Sequence, residues 1–408
     1  MQRGILLNGR FILKKINLLG LFLLVLLICC KKDEENLIGP GSESAIPPRK
    51  SNLVVELPET FEGKILLDGN NDEAFTKRDW QGIPSVVVSQ QGVIFVAWYT
   101  GSKGEGPGNY ITVSVSTDKG VTWNHNALIV IPAKPEIRFF DPALWTDKYG
   151  NVFLSWSKSR NSLWDGKGGV WFTKIGFENR FTFTMPRRLA DGVMMNRPSE
   201  DISKTSLLYP IAVWKMGGTV NSGIFVYKST YNDQYNNSRG FTKVSSIKFD
   251  DNLRLYDEHQ VIQLKDKSYL VMIRGIDGIY FTKSKDLRNW DKVKKFTAVG
   301  KTASSRFFLG RLKSGKLALV LSNSVERSNM KIFLSDDEAK SWKYSMLIDV
   351  KLGVSYPDLA QSPDGTINIV YDFNRFNEMH INLVSFKEED VMKNNYQNIF
   401  RTLVSGKQ

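Results

Sequence analysis

Cysteine is nearly absent from this chain of 408 residues, whose two cysteines are Cys29 and Cys30. They lie side by side near the start, so no disulfide can form within the body that follows them. Histidine is almost as scarce, and His125, His259 and His380 are too far apart to form a sequence motif for a metal site. We expect no disulfide framework and no bound metal, and no motif in the chain indicates another cofactor.

Acidic residues are in deficit as well, because 42 Asp and Glu stand against 55 Lys and Arg, for a formal net charge of +13. A basic surface attracts polyanions. The chain has no Lys/Arg-rich run and no known nucleic-acid motif, so we expect an acidic oligosaccharide or glycoconjugate as partner and no nucleic acid. A diffusely basic surface without a partner is the alternative.

The N-terminal apolar run, Ile16–Ile28, is short for a membrane span and typical of a signal peptide. Leu27-Ile-Cys-Cys30 resembles a bacterial lipoprotein cleavage box, which needs a small residue before the modified cysteine. Cys29 meets that need, so Cys30 is the predicted lipidation site. Lys31-Lys-Asp-Glu-Glu35 resembles the export tag of Bacteroidetes-type lipoproteins. We therefore expect a lipid anchor at the bacterial outer membrane, on the cell surface.

From about residue 60 the chain repeats a hairpin of two apolar strands joined by a turn rich in Gly, Asp and Ser. Six copies begin near residues 84, 142, 198, 259, 308 and 358, and the third copy is the weakest. A repeat of this length with short strands predicts an all-β fold, a six-bladed β-propeller. We divide the chain into a lipoprotein signal peptide (1–29), a flexible linker (30–58), the propeller (59–400) and a tail (401–408), and expect a monomer.

A shorter motif recurs within these units. Ser116–Trp123 matches the Asp-box pattern S-x-D-x-G-x-T-W, Ser335–Trp342 is a variant with Ala339 in the glycine position, and Ser284–Trp290 is a shortened copy. We expect the Asp carboxylate to cap a tight turn, the glycine to supply backbone freedom and the Trp to pack beneath. These boxes are predicted to be structural, and together they favour an Asp-box propeller.

The segment Gly353-Val-Ser-Tyr-Pro-Asp-Leu359 resembles the nucleophile segment of sialidases. The strand pair from Glu258 to Arg274 resembles the sialidase blade that supplies a glutamate and an arginine. The C-terminal half is thus similar to the bacterial sialidase-like, Asp-box propeller family. This resemblance implies that Tyr356 is the nucleophile, that Glu258 accepts its proton, and that Arg274 and Arg327 clamp a substrate carboxylate.

The implied chemistry is coherent. A sialic acid carries a carboxylate on its anomeric carbon, which would repel an anionic nucleophile but not a neutral phenol. The reference pKa of tyrosine is about 10, so the phenol needs a nearby base. The planar guanidinium of arginine suits bidentate binding of a carboxylate.

The N-terminal half departs from the sialidase pattern. In Gln81-Gly-Ile-Pro-Ser85, Gly82 stands where sialidases have the first arginine of the clamp, and Arg78 is out of register. We therefore expect weak or no activity on a simple aryl sialoside. The usual aspartate acid/base is not evident either. The glycine-rich segment Gly101–Tyr110 has Glu105 as its only carboxylate, so Glu105 is the candidate acid/base.

Other segments resemble a divergent branch of Asp-box propellers or lie within the sialidase-like segments, and they add candidate substrate-binding residues. For each of them a structural role at a strand end is the alternative. These candidates are Asp141, His259, Arg306, Asn196 and Arg197.

We predict an exo-acting, exo-α-sialidase-like glycoside hydrolase that acts on acidic glycans with retention through Tyr356. One alternative keeps the fold but makes the protein a non-catalytic glycan-binding propeller on the cell surface. Another is a polysaccharide lyase acting on uronate-containing glycans, with His259 and a tyrosine as base and acid.

Overall fold

The computed structural model describes residues 59–69, 75, 77–101, 104–161, 165–215, 221–231 and 240–407. The predicted signal peptide, the lipidation site Cys30 and the linker lie outside these residues. Within the described part of the chain, no helix is both long and apolar enough to cross a membrane.

Short β-strands dominate the described residues, as the alternation of apolar and polar residues around Gly- and Asp-rich turns predicts. The strands are β1 (Gly63–Leu67), β2 (Trp80–Val88), β3 (Ile94–Gly101), β4 (Tyr110–Ser116), β5 (Asn124–Pro132), β6 (Ile137–Thr146), β7 (Val152–Arg160), β8 (Val170–Phe177), β9 (Phe181–Phe183), β10 (Arg187–Ala190), β11 (Ser199–Glu200), β12 (Ser206–Val213), β13 (Gly223–Thr230), β14 (Thr242–Ile247), β15 (His259–Gln263), β16 (Tyr269–Gly275), β17 (Gly278–Ser284), β18 (Lys294–Lys295), β19 (Phe308–Arg311), β20 (Leu317–Ser322), β21 (Met330–Ser335), β22 (Tyr344–Asp349), β23 (Val354–Gln361), β24 (Ile367–Phe373), β25 (His380–Phe386) and β26 (Phe400–Ser405). The described residues also contain the α-helix α1 (Glu388–Lys393) and 3-10 helices at Glu59–Phe61, Asp251–Leu253 and Tyr396–Asn398.

The strands form six antiparallel sheets, and each sheet is one blade. Four blades are simple meanders: β11–β14, β15–β18, β19–β22 and β23–β26. The first blade, β2–β5, gains β1 at its outer edge, and the second consists of β6, β7, β8 and β10 with β9 beside β8. Strand β2 packs against both β6 and β23, which closes the ring of inner strands. The predicted six-bladed β-propeller is confirmed.

The hydrophobic core is divided among the interfaces between neighbouring blades. Five clusters of buried side chains each join two adjacent blades. A sixth, larger cluster joins the first and second blades and also includes Ala212 of the third blade and Tyr356 of the sixth. Trp98 of the first blade and Leu383 of the sixth share one cluster, and both are fully buried. Burying a large apolar side chain contributes about 1.5–3 kcal/mol relative to exposure. Stability is therefore distributed around the ring, and the inner strands are held rigidly enough to position a site.

The Asp boxes form the turns that the sequence predicts, each between the third and fourth strands of its blade. The Ser116 hydroxyl donates to Asp118 Oδ1 at 2.8 Å. Thr122 donates to Asp118 from its hydroxyl and its backbone N–H, which lowers the pKa of that carboxyl to about 2. Asp337 and Asp286 accept corresponding bonds in the fifth and fourth blades. The boxes therefore stabilise turns at the outer strands, away from the inner strands β15 and β23.

The boundary expected at residue 400 falls inside a strand. Residues 400–405 form β26, the outer strand of the sixth blade, and pair with β25. Val404 is fully buried, so this segment contributes to the core rather than forming a tail. The sequence signal is weak here because an outer strand is exposed on most of its length, as Phe400 and Leu403 are.

Candidate active site

Three inner strands share one backbone irregularity. Ile83, Asp141 and Tyr356 each precede a proline, with φ of 59°, 51° and 52°, and the register of the ladder shifts at each. Residues other than glycine rarely adopt positive φ, and such strain clusters at functional sites. A bulge also changes the direction of a side chain. The first, second and sixth blades thus carry these residues at matching points of their inner strands.

Tyr356 forms a closed hydrogen-bonded cluster with Glu258 and Arg274. The phenol donates to Glu258 Oε1 at 3.1 Å and accepts from Arg274 Nη1 at 3.0 Å. Arg274 Nη1 also donates to the same Oε1 at 2.6 Å. All three side chains are buried. The structure therefore brings together the tyrosine, glutamate and arginine that the sequence assigned to one site.

Strand pairing explains why Glu258 and Arg274 meet. Glu258 immediately precedes β15, Arg274 lies in β16, and the backbone N–H of Arg274 donates to the Glu258 carbonyl at 2.7 Å. Both side chains thus leave the fourth blade at the same rim. Burial lowers the pKa of Arg274, but the charges and hydrogen bonds of Glu258 and Tyr356 outweigh it and raise that pKa overall. The guanidinium is a permanent cation in this cluster.

The electrostatic environment keeps the Tyr356 phenol protonated. Burial raises its pKa and the Glu258 charge raises it further, while Arg274, Arg327 and Arg375 lower it only in part. The net pKa lies above the usual value for tyrosine, so the phenol is neutral at physiological pH. It can act as a nucleophile only with a base, and Glu258 is within hydrogen-bond distance.

Further arginines face the Tyr356 ring. The guanidinium carbon lies 5.1 Å from the ring centroid for Arg327 and 4.1 Å for Arg375. Arg327 is only partly buried, and among the described residues no carboxylate pairs with its side chain. A cation without a protein counter-ion beside a candidate nucleophile can bind an anionic group. This position fits the clamp role that the sequence implies for Arg327.

Arg375 is a site residue that sequence reasoning missed. It follows β24, the second strand of the sixth blade, much as Arg274 lies near the end of β16, the second strand of the fourth. Its Nε donates to Asp372 Oδ2 at 2.9 Å and its Nη1 to Glu105 Oε1 at 3.2 Å. No sialidase-like motif surrounds it, and the signal that could have found it is this shared strand-end position.

Glu105, the candidate acid/base, lies beside the cluster. It accepts from Arg375 Nη1, and its other oxygen accepts from the Tyr99 hydroxyl at 2.7 Å. Its side chain is 39% exposed, whereas those of Glu258 and Asp372 are at most 1% exposed. Glu105 is therefore the carboxylate of this group that solvent and a leaving group can approach. Arg375 connects it to the Tyr356 ring.

Asp141 is a buried carboxyl at the matching point of the second blade. Its Oδ2 has no hydrogen-bond partner among the described residues. Burial raises the pKa of Asp141 well above its usual value, Arg138 lowers it, and the charges of Glu105 and Glu258 raise it again. A neutral buried carboxyl can donate a hydrogen bond to a bound sugar or to a leaving group.

His259 and Asn196 contact backbone rather than the cluster. The two ring nitrogens of His259 lie 3.1 Å from the Asp257 carbonyl oxygen and 2.9 Å from that of Phe225. Burial lowers the pKa of His259. Asn196 Nδ2 donates to the His259 carbonyl at 2.9 Å. These two candidates thus join the third blade to the fourth.

Arg306 and Arg197 hold the inner strands together. Arg306 Nη2 donates to the carbonyls of Pro84 and Tyr356 at 2.6 and 2.9 Å, so it connects the fifth blade to the first and sixth and supports the strained Tyr356 backbone. Arg197 pairs with the Asp358 carboxylate and donates to a backbone carbonyl of β2. Both arginines bind backbone carbonyls of other blades and so position strands, although Arg306 also lies 5.6 Å from the centroid of the Tyr356 ring.

The described residues contain no group of three or more His, Cys, Asp or Glu side chains that could hold a metal ion. The cluster consists of protein side chains: a neutral phenol with a carboxylate base, a second, solvent-accessible carboxylate, and several arginines. Such a set can form and break a covalent bond to a sugar and can bind an anionic substituent.

Comparison with known proteins places the chain among β-propellers. Residues 92–369 match the family model described as BNR repeat-like domain. The search of curated protein sequences found no match. The structure resembles the Hadza microbial sialidase Hz136 with a TM-score of 0.61 and 17% identity, covering 76% of this chain and 66% of that one.

Two further solved structures are similar over most of their length. The intramolecular trans-sialidase from Ruminococcus gnavus, in complex with oseltamivir carboxylate, has a TM-score of 0.58 and 14% identity, covering 78% of this chain and 96% of that one. The GH93 α-L-arabinofuranosidase of Fusarium graminearum, in complex with arabinobiose, has a TM-score of 0.53 and 13% identity, covering 81% and 99%. At these identities the likeness establishes the fold.

Proposed function

This chain belongs to the BNR repeat-like domain family, and from that premise we propose that it is a retaining, exo-acting glycoside hydrolase of acidic glycans. The observation that carries the proposal is the Tyr356 cluster, in which one carboxylate oxygen of Glu258 lies 3.1 Å from the phenol. Similarity to a sialidase and to an arabinofuranosidase supports the reaction class, since those two proteins are glycosidases by name.

In the proposed first step, Glu258 takes the phenolic proton while the Tyr356 oxygen attacks the anomeric carbon. The bond from that carbon to the leaving oxygen breaks, and Glu105 donates a proton to the leaving group. A sugar is then joined to Tyr356 through a new C–O bond. In the second step Glu105 removes a proton from water, and the water oxygen attacks the anomeric carbon as the bond from that carbon to the Tyr356 oxygen breaks. The departing phenolate recovers its proton from Glu258.

Two arginines supply the proposed substrate preference. Arg327 has no carboxylate partner among the described residues, and Arg274 adjoins the phenol. Both lie where a carboxylate on or next to the anomeric carbon would be held while Tyr356 attacks. Asp141 is proposed to bind a sugar hydroxyl. His259, Asn196, Arg197 and Arg306 are proposed to act through the positions of strands.

The lyase alternative has less support. A lyase needs a free base for the proton next to the uronate carboxylate, and both nitrogens of His259 lie against backbone carbonyls. The binding-protein alternative gives no functional reason for the hydrogen-bonded Tyr356–Glu258 pair. We also propose that the protein is a monomer and, from the sequence of residues 16–35, that it is lipid-anchored through Cys30 at the outer-membrane surface.

The test is a screen of the purified protein against aryl sialosides and against uronate-containing and sulfated oligosaccharides. We expect hydrolysis with retention of the anomeric configuration, so that an α-glycoside first releases the α-anomer and a β-glycoside the β-anomer. NMR of the first product anomer measures this outcome. Product with inverted configuration would contradict the tyrosine mechanism. Absorbance from an unsaturated product would favour the lyase, and binding without turnover of any substrate would favour the binding protein.

A further inference from the structure

Gly82, the position at which the clamp arginine is missing, is packed against another arginine. A Cβ atom added to Gly82 would lie 2.8 Å from Cδ and 2.9 Å from Nε of Arg375. Gly82 lies within strand β2 and does not have positive φ, so its backbone does not require glycine. The available space requires glycine instead, because Arg375 occupies the volume into which any side chain at position 82 would extend.

We infer that Arg375 of the sixth blade replaces the arginine absent from the first blade and completes a three-arginine carboxylate site with Arg274 and Arg327. This inference rests on the proposed function and extends it by assigning a third arginine to the carboxylate site. The three guanidinium groups come from three different blades and share Tyr356 as a common neighbour, through a 3.0 Å hydrogen bond and ring distances of 5.1 and 4.1 Å.

The Arg375 guanidinium is held firmly yet keeps donors for a ligand. Nε binds Asp372, Nη1 binds Glu105, and Nη2 donates to Ser355 Oγ at 3.2 Å. A guanidinium has five N–H donors, so two remain after these three bonds to described residues. Two donors on a planar fork are what a bidentate carboxylate contact needs.

The support beneath Arg375 comes from two inner strands. Asp372 is fully buried and accepts from the Ile83 backbone N–H at 2.7 Å and from the Ser355 hydroxyl at 2.6 Å. Ile83 and Ser355 each adjoin a site position, Gly82 in β2 and Tyr356 in β23. The same carboxylate therefore orders the strand that lacks the arginine and the residue that replaces it, which pre-organises the guanidinium.

A binding experiment tests the inference without relying on turnover. The full propeller chain is titrated calorimetrically with N-acetylneuraminic acid and D-glucuronic acid, each alongside its methyl ester. The wild type should bind at least one acid more tightly than its ester. Arg375→Ala should weaken binding of that acid about 30-fold or more, the low end for removing one partner of a desolvated charge pair, and leave the ester unchanged. Arg375→Lys should recover part of the loss.

Two controls separate recognition from folding. Arg311→Ala removes an arginine that is likewise paired with a glutamate, Glu338, but contacts neither Tyr356 nor Gly82, so it should leave the acid-to-ester ratio at the wild-type value. The Gly82→Arg/Arg375→Gly double variant places the guanidinium on the first blade instead. It should bind the acid better than Arg375→Gly alone.

Several outcomes would overturn the inference. Wild-type protein that shows no preference for either acid over its ester has no carboxylate site. Unchanged acid binding in Arg375→Ala, with its melting temperature within a few degrees of wild type, removes Arg375 from such a site. Failure of the proposed function is a separate result. If the protein binds the acid through Arg375 but hydrolyses no glycoside, the inferred carboxylate site stands and the proposed enzyme activity is wrong.

Discussion

Replacing Tyr356 by phenylalanine removes one oxygen atom from the centre of the proposed site. The ring and its contacts with Arg327 and Arg375 remain, since both involve the ring itself. Two hydrogen bonds disappear, one to Glu258 and one from Arg274. The 2.6 Å ion pair between Glu258 and Arg274 survives and keeps both charges satisfied.

The cost in stability is therefore small, and the cost in activity is large. Hydrogen bonds to charged groups contribute about 1.5–3 kcal/mol each, and the surviving ion pair compensates for much of that loss, so the folding free energy should fall by about 2 kcal/mol or less. Loss of a covalent nucleophile should lower kcat by a factor of about 10³ or more. Substrate binding should be nearly unchanged because the arginines are intact.

The matched control is Tyr371→Phe. Tyr371 lies in the same blade as Tyr356 and is as buried, and its hydroxyl donates to Asp349 Oδ2 of the fifth blade at 2.9 Å. It therefore loses a comparable bond to a carboxylate at a distance from the cluster. Thermal unfolding of both variants should shift by similar amounts, while only Tyr356→Phe should lose activity.

The assay combines steady-state kinetics on the substrate found in the screen with a trapping experiment. A substrate fluorinated next to the anomeric carbon should leave a sugar on the Tyr356 peptide, visible by mass spectrometry. Glu258→Gln should be comparably inactive, and the double variant should be no worse than either, because both residues serve one step. Wild-type kcat in Tyr356→Phe, or a trapped sugar on another residue, would refute the mechanism.

Three other predictions concern charge and location. Arg274→Ala and Arg327→Ala should each lower kcat/KM, with a loss of about 2–5 kcal/mol of transition-state stabilisation. Only Arg274→Ala should also lower the melting temperature, because it leaves buried Glu258 without its ion-pair partner. Equal melting temperatures for the two variants would contradict this. The pKa of Asp141 is raised in the folded protein. The resulting contribution to stability is complete below the unfolded-state pKa of about 3.9 and is lost as pH rises toward the folded-state pKa. Asp141→Asn should therefore be more stable than wild type at pH 7 and equal to it near pH 4, and a difference in melting temperature that does not change with pH would count against it. Cys30→Ser should release the protein from the membrane fraction or leave its signal peptide uncleaved, whereas normal retention would refute the anchor.

Much of the fold could be predicted because its information is local. Each blade begins with a hairpin whose strands alternate apolar and polar residues around a Gly- or Asp-rich turn, and both signals lie within about a dozen residues. The six predicted repeat starts fall at or next to the first strands of the six blades. The Asp boxes are equally local, since Asp118 binds residues within four positions of itself. The outer strand β26 was missed because its exposed residues weaken the alternation.

The centre of the candidate site could also be predicted from the sequence alone. Tyr356 is marked by its own segment, and Glu258 and Arg274 lie at the two ends of one hairpin, so pairing of β15 with β16 brings them together. Local strand geometry is enough to predict that meeting. The contact with Tyr356 then follows once the fourth and sixth blades face the same central space.

Which other charged residues join that centre depends on contacts between distant parts of the chain, and these could not be predicted from local patterns. Arg375 contacts Glu105 and fills the space beside Gly82, although these residues belong to opposite ends of the chain. Arg306 looked like a ligand residue in sequence, yet it binds backbone carbonyls of other blades. The physical reason is ring closure: inner strands from six blades converge on one axis, so the partners of each guanidinium come from blades that are distant in sequence.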